Sequence, residues 1–217
     1  CLLSRGLGDV YKRQVQAHRD LAAPLAETVA YYALLEFDQS SLTLAEEAFA
    51  QCMDAGWLVD GVVSQSEAQA KSLWQLREGI SESLAAYTPY KNDLSVRISE
   101  VPGFLADVDR YVSESYPEFE VCWYGHIGDG NLHLNILRPE DMSVEEFFEH
   151  GHGMSPKIFE IVAARRGSIS AEHGVGLLKR DFLGYTRSDD EIKLMQGLKA
   201  LFDPHQILNP NKLLSSR

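Results

Sequence analysis

Tyr124-Gly-His-Ile-Gly-Asp-Gly-Asn-Leu-His-Leu-Asn-Ile136 is the stretch on which the reading of the fold turns. Its centre, Gly128-Asp-Gly-Asn131, has the composition of a tight turn, and the flanking residues alternate polar and apolar as strands do. With Gly128–Asn131 as a four-residue loop, Ile127 pairs with Leu132 and His126 with His133. Direct neighbours across antiparallel strands bring Cβ atoms to about 4.5–5.5 Å, near enough for two imidazoles to share a metal ion. Asn135, two residues beyond His133, falls on the same face. Ile127, Leu132, Leu134 and Ile136 turn the other way, toward a core. The plainer alternative is a solvated face on which two histidines happen to oppose each other.

Working outward, Val29–Phe37 and Trp57–Gln65 are β-branched and aromatic enough to read as strands, and Leu94–Ile98 alternates like one. Thr43 and Glu46 have capping-box spacing ahead of an apolar helical stripe that stops at Gly56. Ser66 and Gln69 cap a long helix striped by Leu73, Leu76, Ile80 and Leu84. Phe104–Val112 reads as a helix. Ser155, with Pro156 at the first helical position, starts another that runs through Arg165 and ends at Gly167. Asp189–Phe202 is the last helix, followed by turns at Asp203-Pro204 and Asn209-Pro210. Strands and helices that alternate and then give a hairpin predict an α+β fold. It has an antiparallel sheet with helices on one face, a ferredoxin-like core, plus a C-terminal helical segment.

The 217 residues carry a formal charge of −12, which disfavours nucleic-acid binding, and 45% of them are hydrophobic, which argues for a folded chain. No apolar run reaches the roughly 18 residues that span a bilayer. Cys1, Cys52 and Cys122 are odd in number and far apart, so a disulfide framework is not expected and a reducing, cytoplasmic setting fits. No basic amphipathic patch marks a membrane-docking face, which leaves peripheral association open. Residues 1–14 hold Arg5, Lys12 and Arg13 against only Asp9 and lack an initiator Met. They read as a non-native or disordered tail ahead of a domain at 15–217, and the chain is expected to begin partway into a longer protein.

A second segment, Ser168-Ile-Ser-Ala-Glu-His-Gly-Val-Gly176, sets Glu172 beside His173 in a Gly-flanked connection. A Glu joining His126 and His133 completes the three-protein-ligand set of a catalytic zinc-type site. His173 is then free to accept a proton. Alternatively, Glu172 caps the next turn and His173 packs against it.

Together, GHIGDGNLHLN and SISAEHGVGLLKR resemble the C-terminal domain of FAD-linked D-2-hydroxy-acid dehydrogenases. Leu73–Val96 (LWQLREGISESL…YKNDLSV) and Leu201–Leu213 (LFDPHQILNPNKL) add two more motifs in the same order. The resemblance implies oxidation of a D-2-hydroxy acid, of the D-2-hydroxyglutarate or D-lactate type, to the 2-oxo acid with hydride transfer to FAD. By the same resemblance His126, His133 and Glu172 match the metal ligands, zinc first and manganese as the alternative. His173 matches the base, and Arg77 and Lys91 match cations that hold the substrate carboxylate. Asn135 matches a polar substrate contact, Ser81 falls where Thr often stands, and Asn209 matches a residue near the flavin. Arg97 stands where Pro is usual. Arg77 and Ser81 are spaced i, i+4, so one helix face holds both, although an Arg that snorkels from a half-buried face would look the same. The chain has no phosphate-binding glycine motif. The expected partners are therefore the hydroxy-acid substrate, a missing N-terminal FAD-binding domain and an unidentified electron acceptor, with a homodimer allowed. A metal-dependent hydrolase using the same His, His and Glu is the competing function, and a non-catalytic metal-stabilised domain the third.

Overall fold

The structure, a computed structural model, describes residues 2–5 (as backbone), 23–25 and 29–214. Five strands form one antiparallel sheet: β1 (Leu2–Arg5), β2 (Tyr32–Leu34), β3 (Tyr90–Ser95), β4 (Glu120–His126) and β5 (Asn131–Leu137), in the order β2-β1-β4-β5-β3. The helices are α1 (Leu42–Asp54), α2 (Glu67–Glu78), α3 (Ile80–Ala85), α4 (Val101–Ser115), α5 (Val144–Ala164) and α6 (Asp189–Phe202). The α+β class stands. β3, α4 and β4 make a split βαβ unit with β5 hydrogen-bonded between its two strands. After α5 the chain returns to the free side of β3, where Ser95 and Ser168 exchange backbone hydrogen bonds of 3.0 and 2.8 Å. This is the ferredoxin-like pattern with its fourth strand reduced to a single bridge.

Alternation along the central strands sorts side chains between two faces. Leu94 and Val96, Trp123, and Leu132, Leu134 and Ile136 pack under α4 and α5 against Phe104, Val108, Val112, Phe147, Met154, Ile158, Phe159 and Val162. The opposite face carries Lys91 and Asp93 from β3, Cys122, Tyr124 and His126 from β4, and Asn131, His133 and Asn135 from β5. Ile80 and Leu84 of α3 cover part of that face, over Cys122, Tyr124 and Leu137. What remains of it is polar and holds the candidate site.

Several expectations need correction. Leu2–Arg5, within the stretch set aside as a tail, pairs with β2 and β4; residues 6–14 lie outside the described residues. Val29–Phe37 contracts to Tyr32–Leu34, and Trp57–Gln65 forms no strand, its Trp57, Val59, Val62 and Val63 standing exposed without a ladder partner. The long helix is interrupted at Gly79, so Arg77 falls in the last turn of α2 and Ser81 in the first turn of α3. Ser155-Pro156 does not start a helix but lies inside α5, which begins after Ser143, whose hydroxyl accepts from the Glu146 amide. The buried stripe from Phe147 to Val162 outweighs the hydrogen bond that Pro156 removes, and the Ser155 hydroxyl binds Tyr90 Oη at 2.7 Å. By contrast, Asp189–Phe202 and the Ser66 cap match expectation.

The hairpin register also differs by two residues. His126 pairs with Asn131 and Tyr124 with His133, so the loop is Ile127–Gly130. Gly130 closes it at φ +74°, and the Asn131 amide donates to Asp129 Oδ1 at 3.0 Å. A Cβ on Gly130 would sit 1.9 Å from the Val96 carbonyl oxygen, so this loop is pinned against the end of β3 and only glycine fits. Because the shift is an even number, every side chain keeps its expected face. Gly130→Ala is expected to lower the unfolding free energy in urea by roughly 2 kcal/mol or more, the cost of a left-handed non-glycine plus a backbone clash. An unchanged midpoint would show that this loop is not pinned.

Candidate metal and substrate site

His126 and His133 sit diagonally across β4 and β5 on the polar face, and a coil after α5 brings Glu172 to them. One ligand-type atom from each lies within 4.8 Å of the others. Zinc bonds of about 2.0–2.1 Å place tetrahedral ligands roughly 3.4 Å apart, so small side-chain adjustments bring the three into register. His126 Nδ1 lies 4.0 Å from Glu172 Oε1 and has no hydrogen-bond partner although it is buried. Such an orphaned nitrogen beside a carboxylate fits a cation between them. Asn131 Nδ2 donates to the same carboxylate oxygen and holds it toward the hairpin. The side chains of His126 and Glu172 are 45% and 48% exposed against 14% for His133, so the cluster opens to solvent on one side. An open side is what a ligand needs.

Beneath this cluster lies Asp93, at the centre of β3 and directly opposite His133. Its Oδ2 accepts from the backbone amides of Glu172 (2.9 Å) and His173 (3.0 Å) and from the Ser170 hydroxyl (3.3 Å). Its Oδ1 is 3.7 Å from His133 Nδ1 and makes no hydrogen bond. Burial pushes the Asp93 carboxyl up, but the His173 and Glu172 amides and the His173 and Lys179 charges outweigh it and hold the group below the usual range. Burial also drives the His133 imidazole down, against the pull of Asp93 and Glu172. His133 therefore favours its neutral form, which is the metal-binding form. Lys179 reaches under the loop to donate to the Asp93 carbonyl at 3.0 Å and to the Ile169 carbonyl; burial lowers its ammonium to about 8.

The remaining expected residues distribute around this core. The Arg77 guanidinium lies over the Tyr124 ring at 5.1 Å, and that ring lies 4.9 Å from His133. Lys91 is exposed and paired with Asn135, which is buried and donates to the Cys122 and His133 carbonyls while its Oδ1 has no partner. His173 is open to solvent, its ring stacked 6.1 Å from His133 and its Nδ1 3.6 Å from Asp93 Oδ2. Ser81 lies exposed on α3. Asn209 lines a separate cleft of about 680 Å³ with Gly174, Leu198, Lys199, Leu208 and Lys212, which meets the site through the residue after His173.

With this geometry in view, the comparisons are direct. Residues 9–213 match the family model described as FAD linked oxidases, C-terminal domain. The chain belongs to that family. It is 50% identical over 206 residues to a D-2-hydroxyglutarate dehydrogenase of Stutzerimonas stutzeri, covering 94% of this chain and 44% of that protein. A D-2-hydroxyglutarate dehydrogenase of Xanthomonas citri pv. viticola is 50% identical over 197 residues, covering 89% and 42%. The mitochondrial D-2-hydroxyglutarate dehydrogenase of Bos taurus is 38% identical over 207 residues, covering 92% and 36%. The chain thus spans less than half the length of the curated relatives it matches. Among the described residues no helix is long and apolar enough to cross a membrane.

Asp93, Asn131 and Lys179 were not singled out as site residues by sequence. Asp93 has a legible signal, a carboxylate in a strand at the spacing that shares a face with Lys91. Asp203 is another such residue. It is covered by its neighbours, and its carboxylate accepts from the amides of Ile207 (2.9 Å) and Leu208 (3.0 Å) and from Lys199, folding the segment that carries Asn209. The Lys199 ammonium first, and then those amides, hold its carboxyl below the ordinary range. A carboxyl lowered in the folded state stabilises above its unfolded pKa and loses that contribution as pH falls through its folded value. Asp203→Asn is expected to lower the urea midpoint at pH 7, with the gap to the unmodified chain closing as the pH drops below the carboxylate range. A gap constant with pH would refute the assignment.

Proposed function

We propose that this chain is the substrate- and metal-binding part of a flavin-dependent dehydrogenase that oxidises a D-2-hydroxy acid, of the D-2-hydroxyglutarate or D-lactate type, to the 2-oxo acid. The observation that carries this reading is the gathering of His126, His133, Glu172 and His173 on one polar sheet face together with Lys91 and Asn135, in a chain of the FAD-linked oxidase family. The printed names of the relatives favour D-2-hydroxyglutarate over other members of the class.

His126, His133 and Glu172 would hold a divalent cation, zinc being the best match to two imidazoles and a carboxylate. When bound, that cation supplies Lewis acidity toward the substrate hydroxyl, and FAD supplies the hydride acceptor. The chain's own residues do the rest. Lys91, from an exposed position on the site face, and Arg77, from above Tyr124, hold substrate carboxylate that a chain of net charge −12 would otherwise repel. Asn135, whose buried Oδ1 has no partner, would accept from a substrate donor. His173 would take the hydroxyl proton on Nε2, since its Nδ1 faces Asp93, and a bound flavin would supply the acceptor for the C2 hydride. Ser81 would face the distal end of the substrate, and Asn209 the flavin. A flavin-binding domain is the expected partner. The exposed Leu194, Leu198, Leu201 and Phe202 of α6, continued by Ile207 and Leu208, are a surface suited to such a partner.

The test joins the chain to the flavin-binding part of a relative and screens D-2-hydroxyglutarate, D-lactate and glycolate for bleaching of the flavin, with metal analysis alongside. One zinc per chain, bleaching by D-2-hydroxyglutarate, and loss of both in the His126→Ala and Glu172→Gln variants are expected. Bound zinc without flavin reduction by any hydroxy acid, but with ester or peptide hydrolysis, would overturn the reading in favour of a hydrolase.

A further inference from the structure

Asp93 faces His133 and accepts from the backbone of Glu172 and His173, yet it belongs to none of the roles assigned above. Its two oxygens are unequally used. Oδ2 is saturated by the Glu172 and His173 amides and the Ser170 hydroxyl. Oδ1 is buried, has no hydrogen-bond partner, and faces His133 Nδ1 at 3.7 Å. A buried carboxylate oxygen with nothing to accept is costly unless a donor arrives. Among the described residues, the His133 ring faces this oxygen and can supply one as the tautomer carrying hydrogen on Nδ1. That tautomer leaves Nε2 as the lone-pair nitrogen.

Resting on the metal reading above, we infer that Asp93 is the positioning residue of the site: it orients His133 to bind the cation through Nε2 and fixes the loop bearing Glu172 and His173. A histidine ligand whose second nitrogen donates to a carboxylate is held in one ring orientation and is more basic toward the metal. Here the same carboxylate also captures two successive amides of the loop. One side chain on β3, at the edge of the sheet, therefore sets the spacing between a ligand on β5, a ligand on the 168–174 coil, and the proton acceptor beside it. Neither the coil nor the hairpin supplies that spacing alone.

Asp93→Asn separates this role from a purely structural one. Three donors converge on the Oδ2 position, so the amide oxygen of Asn settles there and keeps the loop. Its NH2 then meets His133, where the acceptor stood. The chain itself, titrated with zinc in competition with a chromophoric chelator, is expected to lose about 10–100-fold in affinity in this variant. The urea midpoint and the exchange protection of the Glu172 and His173 amides should stay close to the unmodified chain. Nitrogen chemical shifts of the zinc-loaded unmodified chain should report His133 protonated at Nδ1 and metal-bound at Nε2, a readout that needs no variant to fold. Undiminished zinc affinity in Asp93→Asn, or metal on His133 Nδ1, would overturn the inference and leave the proposed function standing. An unmodified chain that binds no zinc at all would remove both the metal reading and this inference, so the two failures are distinguishable.

Discussion

Asp93 is a carboxylate on the edge strand β3, nearly shut off from water, with a loop hanging from one of its oxygens. Placing a charge there carries a desolvation cost that backbone amides, a hydroxyl and the nearby cation Lys179 must offset. The arrangement constrains everything around it. The loop from Ser168 to Gly174 contains no regular secondary structure, so its position depends on these hydrogen bonds and on the Ser95–Ser168 bridge at its start. Without them, Glu172 would have no reason to meet two histidines from a distant hairpin.

The hairpin contributes through its opposite property, rigidity. Its apolar side is locked under α4 and α5, so the polar side presents His133 and Asn135 from a surface that cannot relax away. Gly130, forced into the left-handed region and pressed against Val96, fixes where the turn ends and so which residues oppose each other. The cluster is therefore half rigid and half tethered.

The C-terminal segment shows the same device at a smaller scale. Asp203 collects the Ile207 and Leu208 amides and the Lys199 ammonium, and so folds the turn ahead of Asn209. The adjoining face of α6 leaves Leu194, Leu198 and Leu201 in solvent. In relatives more than twice as long as this chain, there is protein to cover such a face.

Local pattern determined which face of the sheet the hairpin residues occupy. Alternation put His126, His133 and Asn135 on one side, and the even-numbered register shift could not undo that, because a strand has a period of two. Capping signals at Ser66 and the last helix at Asp189–Phe202 were equally local and equally legible. What only the tertiary structure decided were the matters settled by packing. Pro156 sits inside α5 because the stripe it interrupts is buried, and Trp57–Gln65 is no strand because no neighbour pairs with it. Which histidine lies opposite which residue depended on Gly130 meeting Val96, a contact between residues far apart in the chain. The partners of Asp93 were decided the same way: they lie some eighty positions downstream, and only the folded sheet brings their amides within reach of its carboxylate.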